Sequence, residues 1–413
     1  MLLQKLSLRD FRGFASLDLQ FEPDVTVLVG VNGAGKTSIL DAIARALSVL
    51  PTRIRGEEVG TLLSQDDIRI GAPSARVEVS GEVAGTTATW WLSAARPGQS
   101  FFPIAFTVAL NPVIDTIRRS LDGAPHLPLA VHFPTNRAAL DIPARIRTPH
   151  EFDPLSAYDG ALEEGASNFR GFFEWYREEE DVYNEETIRT VHEERVSRLP
   201  DVRRAIEKLF PGASDLRVER RPQRMTLLHH GVRLDVAQLS DGEKCLLAMA
   251  GDLARRMVLA APGVADPLAE PAVVLIDEVE LHLHPGLQRT ILVRLREVFP
   301  NTQFIVSTHS PQVLSSVRST NVQLLQGFAI KPLERGTWRR DTNRILESAF
   351  GDPGRDPDVA AKLVALRDAV DEERHPEAWK LVRELRGLIE GEDPDLFFLT
   401  QLLPVEETNG ATS

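Results

Sequence analysis

The stretch Gly30-Val31-Asn32-Gly33-Ala34-Gly35-Lys36-Thr37 constrains this chain more than any other. It fits G-x-x-x-x-G-K-[ST]. An apolar run, Val25 to Val29 (VTVLV), precedes it, and a helical stripe of Ile39, Leu40, Ile43, Ala46 and Leu47 follows. A short continuous apolar run bounded by glycine fits a buried parallel strand. Strand, glycine-rich loop and helix are the context in which this motif binds phosphate. Glycines let backbone N–H groups turn inward toward phosphate oxygens. The helix N-terminus adds partial positive charge. Lys36 neutralises the terminal phosphates of a nucleotide, and the Thr37 hydroxyl reaches Mg²⁺. Asn32, Gly33, Ala34, Gly35, Lys36, Thr37 and Ser38 are thus the candidate ATP contacts. The bland alternative is a Gly-rich turn that caps a helix, and the context weighs against it.

Other segments supply the chemistry that a phosphate loop needs. Val273 to Glu278 (VVLIDE) is an apolar strand ending in two carboxylates, and burying charge is costly without a partner. Asp277 would hold Mg²⁺ directly or through water, and Glu278 would polarise the attacking water. Ser307-Thr308-His309-Ser310-Pro311 ends the next apolar strand, QFIVST. A His there is placed to hydrogen-bond a γ-phosphate, although a lone His at a strand end is usually structural. Leu239-Ser240-Asp241-Gly242-Glu243-Lys244 opens a helix, with Ser240 and Glu243 as a capping box. The same N-terminus suits an anion.

Weaker signals lie elsewhere. Arg9, Phe11, Arg12, Gly13 and Phe14 occupy the first turn, where Arg12 would flank the nucleotide, unless the turn is an ordinary exposed hairpin. Gln65 is a candidate ligand of Mg²⁺ and water. His282 and His284 form a His-x-His pair with no cysteine near, which is weak evidence for zinc. Arg217, Arg220, Arg221 and Arg224 would meet DNA, or else form a solvated face paired with the acidic helices.

Composition bounds the class. A single cysteine, Cys245, excludes a disulfide scaffold and fits a reducing cytoplasm. No apolar run reaches membrane-spanning length, and the start lacks a signal-peptide core. The net charge of −13 argues against a nucleic-acid binder that uses its whole surface. Organisation along the chain reads as an N-terminal ATPase lobe over 1–139, a charged helical insertion over 140–212 and a second lobe over 213–340. A helical tail follows over 341–403, and residues 404–413 read as disordered. The expected fold is α/β, with a mixed or largely parallel central sheet, a short helical lid and a tail of two antiparallel helices.

Taken together, these motifs resemble the ABC ATPase heads of the RecF and SMC kind over most of residues 1–325. The strings LSDGEKCLLAMAGDLARRM, VVLIDEVELHLHP and FPNTQFIVSTHSPQVLSSV look like the RecF-like ATPases of bacterial anti-phage systems, above all the PtuA family of Septu systems. FFEWYREEEDVYNEE and RDTNRILESAFG look like that group too. The resemblance implies that Ser240, Gly242 and Glu243 form a signature that meets the γ-phosphate held by a second copy, and that His309 is the switch histidine. It implies a homodimer or higher oligomer closing over ATP and Mg²⁺, with the tail and lid restraining a separate HNH nuclease of the PtuB kind. The alternative is a RecF-like repair ATPase that binds DNA in its ATP state. Asp241, where many ABC proteins have Gly, and Glu243-Lys244 in place of Gln are departures that RecF-like heads tolerate. The long spacing between Lys36 and Asp277 argues against a transporter ATPase.

Overall fold

The computed structural model describes residues 1–57, 60–98, 105–121, 123, 125–135, 152–163, 169–188, 197–221, 223–333, 336–339, 345 and 355–404. They fall into two compact units, Met1–Arg340 and Asp341–Ser413.

The first unit is built on three sheets. Strands β1 (Leu2–Phe11), β2 (Phe14–Gln20) and β3 (Val25–Val29) lead into helix α1 (Lys36–Arg55). Then come β4 (Ser74–Val83), β5 (Thr86–Ala95), β6 (Ala105–Phe106), α2 (Asn111–Ser120) and β7 (Leu129–Phe133). Helices α3 (Phe169–Ile188) and α4 (Leu199–Leu209) precede β8 (Ala213–Arg220), β9 (Gln223–His229) and β10 (Val232–Asp235). The last part runs α5 (Asp241–Ala260), β11 (Ala272–Ile276), α6 (Pro285–Gln288), α7 (Ile291–Val298), β12 (Gln303–Thr308), α8 (Pro311–Ser315), β13 (Val322–Gln326) and β14 (Ala329–Lys331).

The central sheet has the order β14-β13-β3-β12-β11-β7. All its pairings are parallel except β13–β14. Strands β3, β7, β11 and β12 are buried at every position. They therefore read as continuous apolar runs rather than alternating ones. An antiparallel sheet, β2-β1-β4-β5-β6, and a small one, β10-β9-β8, complete the layers. In the first of these, burial alternates along β1, β2 and β4, as a half-solvated sheet requires.

Two sequence expectations differ from the structure in detail. The apolar spacing from Leu287 to Phe299, between the β11 and β12 runs, predicts one helix; the structure breaks it into α6 and α7 at Arg289 and Thr290. There the Thr290 hydroxyl donates to the Leu287 carbonyl at 3.2 Å, a local bond that competes with the helix ladder. Part of the acid of the helical insertion, whose 178–194 segment the charge pattern assigns to a partner, is used internally. Glu179 and Glu180 are buried. The Glu179 carboxylate accepts from the Ser197 hydroxyl at 3.1 Å, and that of Glu180 from the Val218 N–H at 3.0 Å and Arg203 at 3.1 Å. The aromatic face of α3, Phe169, Phe172, Phe173, Trp175 and Tyr176, is buried as well. Helix α5 admits it closely, since a Cβ on Gly251 would stand 2.6 Å from the Phe172 ring.

The second unit holds α9 (Pro357–Asp371), α10 (His375–Leu388) and a third helix, α11 (Pro394–Gln401). Leu363, Leu366, Ala369, Val382, Leu385, Leu396 and Leu399 form its own core. Helix α11 was not expected. Its signal is Asp393-Pro394, where the Asp393 carboxylate accepts from the N–H groups of Asp395 and Leu396. The RDTNRILESAFG segment lies almost wholly outside the described residues, as do residues 405–413.

Candidate nucleotide site

Three neighbouring parallel strands end at one edge of the central sheet. Thr308 of β12 pairs with Val29 of β3, and Val306 pairs with Ile276 of β11. The residues that follow, Gly30, Asp277 and His309, therefore emerge side by side, where open α/β sheets place their ligands. A cavity of about 580 Å³ opens there. Arg12, Asn32, Gly33, Gly35, Lys36, Thr37, Ser38, Asp277, Glu278 and His309 line it, and of the expected loop contacts only the buried Ala34 does not.

The phosphate loop is shaped by its glycines. Gly35 has φ +101°, and a Cβ there would stand 2.5 Å from the Phe14 ring, so only glycine fits. Helix α1 begins with no side-chain cap and no acidic residue in its first turn, which leaves its positive end to an anion. Lys36 Nζ donates to the carbonyls of Gly30 at 2.9 Å and Val31 at 3.2 Å. Burial pushes its pKa down, opposed by the carboxylates of Asp277, Glu278 and Glu280.

The two strand-end loops are cross-linked. Asp277 is 2 % exposed. Its carboxylate accepts from Thr37 Oγ1 at 2.8 Å and from the Ser307 hydroxyl. The Glu278 N–H donates to Ser307 Oγ at 2.8 Å, and the Val279 N–H to the Ser307 carbonyl at 3.0 Å. These bonds hold Glu278 at φ +47°, a strained conformation for a residue with a side chain. Glu280 accepts from Thr308 Oγ1 at 2.7 Å and from the His309 N–H at 2.5 Å. The His309 imidazole is held below its usual pKa by burial and by Lys36, against the pull of the three carboxylates. It is therefore neutral at pH 7.

Arg12 lines the cavity with φ +48°. It donates from Nε to Asp67 at 3.0 Å and from a terminal nitrogen to Asp41 at 2.6 Å. Burial opposes its charge, but these two carboxylates prevail and raise its pKa. Gln65 is not brought to the cavity wall, and its amide donates to the Ala95 carbonyl at 2.8 Å.

Ser240, Gly242 and Glu243 line a different cavity, with His229, His230, His282, His284 and Arg294. The capping box is present. Ser240 Oγ accepts from the Glu243 N–H at 3.4 Å and donates to its carboxylate at 2.7 Å. A Cβ on Gly242 would lie 2.1 Å from the His282 carbonyl oxygen, so the helix start and the loop after β11 touch through bare backbone. Among the described residues no cluster of three or more His, Cys, Asp or Glu is placed to hold a metal, and His282 and His284 do not change that.

The sequence motifs give no role to Ser307 or Glu280, which they contain, and do not reach Phe328. Phe328 lines the cavity and packs edge-on to Phe14, ring centroids 5.3 Å apart. Its signal is Gly327-Phe328 at the β13–β14 turn, both with positive φ. The basic strip is largely paired, Arg217 with Asp215, Arg220 with Asp181 and Arg224 with Glu219.

Comparisons with known proteins agree with this geometry. Residues 5–209 match the family model "AAA domain", and residues 123–315 match "AAA domain, putative AbiEii toxin, Type IV TA system". The chain is 28 % identical to "Retron Ec83 probable ATPase" of Escherichia coli, over 86 % of this chain and 77 % of that protein. It is 32 % identical to the "DNA replication and repair protein RecF" of Pseudarthrobacter chlorophenolicus, over 40 % of each chain. It is 34 % identical to "Septu protein PtuA" of Bacillus mycoides, over 30 % of this chain and 17 % of that protein. A solved SMC head, bound to the C-winged helix domain of ScpA, shares its fold with a TM-score of 0.50 at 18 % identity, over 80 % of this chain and 97 % of that one. Fold and site together define an ATPase with an α/β head. Within that class the chain is similar to RecF and to the retron ATPases in sequence and to SMC heads in fold. Among the described residues no helix is long and apolar enough to cross a membrane.

Proposed function

We propose that the chain is the ATPase subunit of a cytoplasmic anti-phage complex, that two copies close over ATP, and that this closure controls a separate HNH nuclease of the PtuB kind. One observation carries the nucleotide chemistry: Thr37 Oγ1 and an Asp277 oxygen lie 2.8 Å apart at the head of α1. That separation suits two neighbouring ligands of one octahedral Mg²⁺, whose oxygens lie about 2.9 Å apart. The donor set is hydroxyl and carboxylate, which such an ion prefers. When bound there, Mg²⁺ neutralises charge on the β- and γ-phosphates.

The chain's own residues do the rest. Backbone N–H groups of the loop from Asn32 to Ser38 cradle phosphate oxygens, and Lys36 turns from the Gly30 carbonyl to the terminal phosphates. Glu278, fixed by Ser307, takes up the proton of the attacking water or orients it. Neutral His309 donates a hydrogen bond to the γ-phosphate. Arg12 flanks the phosphates and Phe328 offers an aromatic wall. Gln65 would reach Mg²⁺ only after its bond to Ala95 is released.

Ser240, Gly242 and Glu243 line a cavity other than the one holding Lys36. We therefore assign them to the nucleotide of a second copy, which makes the dimer the hydrolytic unit. The helical insertion around α3 and α4 and the tail unit, with Phe397 and Phe398 exposed, are the proposed nuclease contacts. The identity to the retron ATPase and to PtuA supports a defence role.

A test uses Glu278→Gln with ATP and Mg²⁺. The expected result is ATP retained without turnover and a dimer by light scattering, with the nuclease encoded alongside co-purifying. Turnover at the native rate removes Glu278 from its role, and a monomer that retains ATP removes the dimer. The RecF relative favours a second reading, a repair ATPase loading on DNA. The paired basic strip weakens it, and salt-dependent binding of duplex DNA in the ATP state would restore it.

A further inference from the structure

Asp67 belongs to no motif, yet it sits at the centre of the polar network behind the nucleotide cavity. It is 2 % exposed. One carboxylate oxygen accepts from Arg12 Nε at 3.0 Å. The other accepts from the N–H of Ser64 at 2.8 Å and its hydroxyl at 3.0 Å, and faces Arg45 at 3.6 Å. The Asp67 carbonyl accepts the Arg12 N–H at 2.8 Å. The contact is continued on both sides by an isolated bridge between Phe11 and Ile68 and by the Arg69 N–H on the Asp10 carbonyl at 2.8 Å. Segment 67–69 is thus zipped to segment 10–12.

Three parts of the molecule meet at this carboxylate. Arg12 reaches the cavity from the β1–β2 turn. Asp41 and Arg45 lie one and two turns along α1 from Thr37. Ser64 and Gln65 begin the turn that carries Asp67. Arg12 keeps its left-handed backbone only because something holds it there. An Arg side chain with this many rotamers costs entropy to fix in one place. Asp67 fixes both, by its main-chain carbonyl and by its charge.

We propose that Asp67 is a positioning residue for the ATPase: it aims the Arg12 guanidinium at the nucleotide phosphates and ties that contact to helix α1 and the 64–67 turn. The inference rests on the nucleotide occupying the cavity that Arg12 lines. Asp67 touches no substrate and acts through Arg12. The Asp67 carboxylate is held among the Ser64 N–H and hydroxyl, Arg45 and Arg12. Asn at this position keeps the shape and one acceptor but loses the charge that clamps the guanidinium.

A double-mutant cycle on the full chain tests this, with Asp67→Asn, Arg12→Gln and both together. The readouts are the Kd of a fluorescent ATP analogue with Mg²⁺, the KM and kcat of hydrolysis, and the melting temperature. Each single variant is expected to weaken nucleotide binding about tenfold, with KM rising more than kcat falls, and the double variant to bind no more weakly than Arg12→Gln alone. If Asp67→Asn weakens binding by the same factor with and without Arg12, it acts on the fold at large and the inference fails. If it leaves Kd and KM unchanged, the inference fails also. Lys36→Ala serves as the control for the site itself. Unchanged binding in that variant would remove the nucleotide from this cavity, a failure distinct from either outcome of the cycle.

Discussion

Gly242→Ala is a one-carbon perturbation whose effect follows from geometry. The added Cβ would stand 2.1 Å from the His282 carbonyl oxygen. Carbon and oxygen do not approach much closer than about 3 Å, so helix α5 or the loop after β11 must move by roughly 1 Å. The atom struck is backbone, in a loop that turns through positive φ at both Glu278 and His282, so it has little slack. Overpacking of this kind costs about 1–3 kcal/mol, offset by about 1 kcal/mol of improved helix propensity. The net loss of stability is therefore small, about 0–2 kcal/mol, and the fold survives. Catalysis has less tolerance. The same loop carries Glu278, and a displacement near 1 Å at a reacting group costs about a hundredfold in rate. The cavity around Lys36 has other walls, so ATP binding persists. Steady-state ATPase rates, analogue binding and thermal melting measure the three quantities. Expected are a kcat lower by at least tenfold, a Kd within twofold and a melting temperature lower by a few degrees. A kcat at the native level would refute the coupling between α5 and the Glu278 loop.

Other expectations follow from buried charge and from burial of the imidazole. Asp252→Ala leaves the buried Arg255 and Arg256 without the carboxylate that each meets, at 2.7 and 2.8 Å; melting should show a loss of about 3–5 kcal/mol. His309 is held below its ordinary pKa of 6.5 by burial. It is neutral in both folded and unfolded chains above that value. As pH falls from 6.5 through the lower folded pKa, the unfolded chain takes the proton first and this contribution to stability is lost. The rate should fall over the same acid range, and His309→Gln should lower kcat and remove that limb from the pH–rate profile. Truncation after Arg340 should leave ATP binding intact, because the tail has a core of its own; loss of folding on removing it would show that the two units depend on each other.

The sequence announces the parts of the site that are contiguous. The phosphate loop, the Asp277-Glu278 pair and His309 each follow an apolar run long enough for one buried parallel strand, and strand ends are where such sheets bind ligands. The Ser240 cap is legible for the same reason, since its determinants lie within a few residues. What stayed hidden is non-local. Phe328 reaches the cavity from a turn after β13, far along the chain from Phe14. The pairing of Arg220 with Asp181 joins the basic strip to the acidic helix in a surface ion pair that the sequence does not show. Gln65 has the right residue type, and only the fold shows its amide bonded to Ala95. The Arg12–Asp67 clamp joins a turn and a 3₁₀ segment that nothing in their spacing links.

The central claim is that ATP is held by the loop at the head of α1. Equilibrium titration of a fluorescent ATP analogue with Mg²⁺ against the native chain and Lys36→Ala tests it most directly. The account predicts saturable binding to the native protein and at least a tenfold weaker Kd in the variant, about 1.4 kcal/mol or more. Equal affinity in the two proteins would contradict it.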